Sequence, residues 1–187
     1  MSRIIIILCA PLLFFLFSVS FAHREEVVVE EQEQTQTSQS ITYPTVVKFH
    51  PPAVHFAIAL PFVSLLVGAL YSVRGKEPDE VEFLLLLISS GAVIGASVTG
   101  YIAHESMEDL PIGKQALELL HTHETIGIAL AFLFSLILGL RLIYAFRRAK
   151  VIHHIYMFLL LVGVLVLFFQ GSLGGKLVYD FGLGVSR

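Results

Sequence analysis

Eight histidines stand in a chain of 187 residues. Two of them open the first apolar segment beyond residue 22, which reads His50-Pro51-Pro52-Ala53-Val54-His55-Phe56-Ala57-Ile58-Ala59-Leu60. An ionisable side chain carried into a bilayer is costly, and by default it marks a functional site. A neutral imidazole ligates haem iron, Zn or Cu, and its pKa suits proton relay. His104, His121 and His123 recur at the ends of later apolar segments, while His153 and His154 follow the basic run Arg147, Arg148 and Lys150. That basic setting reads as an interfacial anchor.

The elements that must position these side chains are long and apolar. Hydrophobic residues make up 56% of the chain and charged residues only 14%, which implies a membrane protein. Four segments, roughly 52–73, 80–103, 115–146 and 151–170, each reach the ~20 helical residues needed to cross a bilayer. The expected fold is an all-α integral membrane protein, a four-helix transmembrane bundle. Pro61 is expected to kink the first helix, with neighbouring helices satisfying the freed carbonyl. Glu77-Pro78-Asp79-Glu80 predicts a turn and an acidic helix start, and Pro111-Ile112-Gly113 opens the third helix.

Residues 1–22 read as a secretory signal: Arg3, the apolar stretch Ile4 to Phe17, then Ser20-Phe21-Ala22 as a cleavage site. Residues 23–47 are polar and acidic and read as a disordered tether; residues 48–187 form the transmembrane domain. The lone cysteine, Cys9, excludes a disulfide framework or a Cys-based metal site. The net charge of −3, with no basic patch, gives no sign of nucleic acid. No Ser-His-Asp arrangement, phosphate loop or paired-carboxylate site stands out, which argues against a hydrolase or ATPase.

Basic residues set the expected orientation. Arg74 and Lys76, with Arg141, Arg147, Arg148 and Lys150, belong on the cytoplasmic side, so His50, His55, His104, His121 and His123 fall at the outer face. Both mature termini then lie outside. His121 and His123 are two residues apart and point about 160° from each other on a helix, so they do not share one site. His123 heads a ridge of small residues, Gly127, Ala131, Ser135 and Gly139; His104 ends another, Ala92, Ala96 and Gly100. Such ridges leave space for a flat macrocycle between helices. Equally, as in Gly91-x-x-x-Gly95, they allow ordinary close packing. The glycine-rich tail from Gly171 to Val185 is expected to return to the histidine face, where Lys176 meets a carboxylate such as a haem propionate and Tyr179 hydrogen-bonds nearby. An amphipathic interfacial cap explains the same tail.

The motifs His50-Pro51-x-x-Val54-His55-Phe56-x-Ile58-Ala59-Leu60, Thr99-Gly100, His123-Glu124 and Gly174-Gly175-x-Leu177-Val178-Tyr179 with Gly182-x-Gly184-Val185 resemble the bacterial membrane-protein family called domain of unknown function 2231. The resemblance spans residues 48 to 185. Ala57 stands where members often carry proline. Some relatives join Rieske iron–sulfur domains, which the resemblance takes as a pointer to electron transfer at the bacterial inner membrane.

The expected function is a membrane electron-transfer subunit rather than a stand-alone enzyme, either a b-type cytochrome or a quinone-linked protein. Haem b would sit between axial His55 and His123, with His50 and His104 as supporting or alternative ligands. A separate Rieske or cytochrome c type protein, or a quinone, would be its partner, and it would act as a homo- or hetero-oligomer. The alternative is a metal-binding or metal-transport protein with an outer-face Zn or Cu site of His50, His55, His104 and Glu105; a third is a non-catalytic structural subunit.

Overall fold

A computed structural model describes residues 45–107 and 112–184. Four helices fill them: α1 (Thr45–Val73), α2 (Glu80–Glu105), α3 (Lys114–Arg147) and α4 (Lys150–Tyr179). All four are long and apolar enough to span a bilayer, and no strand occurs among the described residues. The expected signal peptide, most of the tether and Pro111 lie outside the described residues.

Short connections force neighbours antiparallel. The helices close a ring in which α1 packs on α2 and α4, and α3 on the same two. The central layer is apolar, with Phe134, Ile137, Tyr156 and Leu160 fully buried. Outward-facing side chains are equally apolar: Phe132 is 74% and Phe158 63% exposed. A helix hydrophobic on every side belongs in lipid, which replaces water as the solvent of the outer face.

Two helices run further than composition suggests. α1 begins at Thr45, not near residue 52, and passes through Pro51, Pro52 and Pro61. These prolines lack the N–H groups that would bond the carbonyls of Val47, Lys48 and Ala57. α4 continues to Tyr179, so most of the glycine-rich tail is helix rather than a returning strap. The chain turns only afterwards, where Gly182 and Gly184 hold positive φ angles of 67° and 80°.

The bundle thus has two unlike ends. At the basic end, Asp79 caps α2 by accepting from the backbone N–H of Val81 and Glu82. The Lys76 ammonium at 2.7 Å, then the Glu82 N–H, hold the Asp79 carboxyl down from 3.8 to about 2. Deeper lies a buried ion pair, where Arg141 Nε donates to Glu82 Oε2 at 2.6 Å and a second guanidinium nitrogen donates to the Asp79 carbonyl. Tyr156 donates to the other Glu82 oxygen at 3.4 Å. His153 bridges outward, with Nδ1 2.7 Å from the Tyr156 hydroxyl and Nε2 3.1 Å from Ser72 Oγ. Sequence alone makes His153 a surface anchor, whereas it is the outer link of this network. His154 stands beside His153, and the other five described histidines gather at the opposite end.

Candidate ligand site at the histidine end

His50 stands on α1 facing inward. Its Nδ1 lies 3.1 Å from Thr99 Oγ1 on α2. The Thr99 hydroxyl is already directed at the carbonyls of Gly95 and Ala96. With the Thr99 proton on either carbonyl, His50 Nδ1–H donates to Thr99 and Nε2 keeps its lone pair. Gly100 makes room for the ring: a Cβ there would come within 2.8 Å of His50 Cε1.

His123 is placed in the same fashion by α4. A Cβ at Gly174 would meet its Cε1 at 3.2 Å, and Gln170 Nε2 donates to its backbone carbonyl at 2.6 Å. Across the bundle, Ser97 donates to the Gly127 carbonyl at 2.8 Å. The rings of His50 and His123 meet edge-on, with centres 6.4 Å apart and planes at 85°. Close by, His104 Nδ1 lies 3.0 Å from Glu124 Oε2, and the His104 ring is 5.0 Å from that of His121.

Between these groups is a cavity of about 160 Å³. His50, His104, His123, Glu124, Ser97 and Gln170 supply its polar lining, and the rest is apolar or small. Three buried polar atoms on its lining have no partner in the protein: His104 Nε2, His123 Nδ1 and Gln170 Oε1. Buried polar groups are ordinarily hydrogen-bonded, so three orphans around one cavity point to an occupant, water included. An apolar cavity of about 150 Å³ accepts benzene, whereas drug-sized ligands need about 300 Å³ or more. The space therefore suits one ring, and a porphyrin would require the helices to part.

Comparison with known proteins fits this membrane architecture. A family model described as "Predicted membrane protein (DUF2231)" matches residues 47–187. The chain belongs to that family. No curated protein and no solved structure matches it.

In this DUF2231 member the sequence-expected site residues separate into two groups. The structure brings together His50, His104 and His123. It keeps His55 apart: that side chain is exposed, with Nδ1 bonded to the Pro51 carbonyl at 2.7 Å. Lys176 is exposed on α4 and Tyr179 is 88% exposed, and neither lines the cavity. Glu105 also faces outward. His121 joins His104, so the two-residue spacing sends His121 and His123 to different partners, as the helical period requires.

Sequence reasoning passed over Thr99, Ser97 and Gln170. The Thr99-Gly100 pair carried a signal as a motif, whereas Gln170, one polar residue at the end of an apolar run, was visible and unused. Gly91 and Gly95 are exposed with nothing within 4 Å of a Cβ placed on either, so they make no helix seam in the described fold.

Proposed function

We propose that this protein is a quinone-linked membrane redox subunit that holds a single-ring quinol headgroup in the cavity between His50 and His123. The observation that carries this reading is a one-ring cavity whose apolar wall bears unengaged hydrogen-bond acceptors. The His50 Nε2 lone pair and Gln170 Oε1 are both acceptors, and a hydroquinone presents two hydroxyl donors. A neutral imidazole is also the side chain best suited to take a proton near neutral pH. Loss of two protons and two electrons converts the quinol to quinone. The protons pass to cavity acceptors and water, and the electrons pass singly to a separate one-electron carrier of Rieske or cytochrome c type.

Basic residues at the far end support a cytoplasmic placement there, which sets the histidine end on the outer side of a bacterial inner membrane with both mature termini outside. Protons released from the site would then leave on that side.

One observation favours a second reading, a metal or haem iron held by the same imidazoles. Ring centres 6.4 Å apart approach the spacing of two imidazoles on opposite sides of one metal, with metal–nitrogen bonds of about 2 Å.

The test is protein purified in mild detergent without added quinone. Solvent extraction should yield about one quinone per chain, and a short-chain ubiquinol analogue should bind the extracted protein. His50→Ala should weaken that binding at least tenfold and His55→Ala should leave it unchanged. Failure to bind the analogue would refute the quinol reading, and a Soret band in the dithionite-reduced spectrum would replace it with haem.

A further inference from the structure

We propose that His104, His121 and Glu124 form a binding site for a divalent first-row transition-metal ion beside the cavity. The inference shares His104 and Glu124 with the lining of the proposed quinol cavity but does not require a quinol there. Each of the three side chains offers a ligand atom, and those atoms all lie within 4.8 Å of one another. His104 comes from the last turns of α2, while His121 and Glu124 are i and i+3 on α3. Residues three apart share a helix face, so α3 presents both groups toward His104.

The separations suit a small ion. His104 Nδ1 and Glu124 Oε2 are 3.0 Å apart. Two ligands held at about 2.0–2.1 Å on a tetrahedral ion sit roughly 3.3 Å from each other, so this pair is near its bound spacing, while the exposed His121, within 4.8 Å of both, has to swing inward to complete the set. Two imidazoles and one carboxylate are a donor set used by zinc and by non-haem iron, and it leaves coordination positions open. Such nitrogen and oxygen donors favour transition-metal ions over Ca²⁺ and Mg²⁺, which prefer oxygen alone.

A hydrogen bond between His104 and Glu124 leaves His104 Nε2 without a partner, although the side chain is only 7% exposed. The same imidazole lines the cavity, so Nε2 is open to water or a cavity ligand whether Nδ1 meets the carboxylate or an ion. His121 is exposed and supplies the entry side of the site. A metal ion there needs no path through the apolar bundle.

The experiment uses the full chain in detergent with the affinity tag removed. Zn²⁺ binding is followed by calorimetry, and Co²⁺ binding by its visible absorption, which reports coordination number and ligand type. One ion per chain is expected, with a Co²⁺ spectrum of a low-coordinate nitrogen and oxygen site. Glu124→Gln and His121→Ala should each weaken Zn²⁺ at least about 100-fold, beyond the usual effect of losing a supporting group. His121 is exposed, so its variant tests the site without disturbing the core. His50→Ala should retain the metal, which separates this site from the quinol cavity. Absence of saturable Zn²⁺ binding would overturn the proposal, as would equal loss of binding in His55→Ala.

Discussion

His50 and His55 show how a single helical period decides a residue's chemistry. Five residues place them about 140° apart on α1, so one ring turns into the bundle and the other out of it. The inward stripe His50, Val54, Ala57 and Ile58 lines the cavity at helical spacing. His55 lies off that stripe. The same arithmetic that parts His121 from His123 thus parts the two histidines of the opening motif. Which of them faced inward was not legible, because both flanks are apolar and lipid accepts either. The residue that fixes the matter is Gly100. A methyl added there meets His50 Cε1 at 2.8 Å, and real Cβ atoms do not approach so closely. Gly100→Ala is therefore expected to push the imidazole from its Thr99 partner and lower quinol-analogue affinity about tenfold or more. The helical far-ultraviolet signal should be unchanged, since alanine favours helix over glycine. Affinity equal to that of the unaltered protein would show that His50 is not held by this contact.

At the scale of elements, four spanning helices were legible because their apolar runs exceed the bilayer requirement. Their ends were not. Pro51-Pro52 suggested a later start to α1, yet helix extends to Thr45 on their N-terminal side. Gly171, Gly174 and Gly175 fell in a tail beyond the expected helix end at 170, yet Leu173 and Leu177 keep the helical spacing and are buried. Packing of that stripe outweighs a helix penalty of about 1 kcal/mol per glycine, and the bare backbone at Gly174 leaves room for His123. The start of α2 was clearer: Asp79 precedes two glutamates and an apolar run, the signature of an N-cap. Its carboxyl is held at about 2, below its ordinary 3.8, first by Lys76 and then by the Glu82 N–H. A lowered carboxyl stabilises the fold fully above about 3.8, and that contribution is lost as pH falls through about 2. Carboxyl-selective NMR should find Asp79 titrating near pH 2 and Lys76→Ala moving the midpoint upward. A midpoint that stays put in Lys76→Ala would remove the lysine as its main cause.

Across the whole molecule, the two ends are built on opposite principles. The basic end is paired: the Glu82 and Arg141 side chains are 4% exposed and hydrogen-bond Tyr156 and the Asp79 carbonyl, with His153 and Ser72 continuing the network outward from Tyr156. The histidine end has a cavity and orphaned polar atoms. A buried charge pair contributes little relative to apolar side chains, but breaking it leaves one charge uncompensated, at a cost of about 3–5 kcal/mol. The paired end therefore fixes the register of α2, α3 and α4 and lets the other end hold unfilled hydrogen-bonding capacity. Arg141→Met alone is expected to lower stability by about 3–5 kcal/mol, read as an earlier denaturation midpoint in detergent. Adding Glu82→Leu should recover most of that loss, because the stranded carboxylate is then gone. Zn²⁺ affinity of the double variant should match the unaltered protein, since no ligand of the histidine end has been touched. If Arg141→Met costs no more than a surface change, about 0.5 kcal/mol, the pair does not hold the bundle. If the double variant is instead stable but has lost Zn²⁺, the two ends are coupled through the helices and the division of labour between them fails.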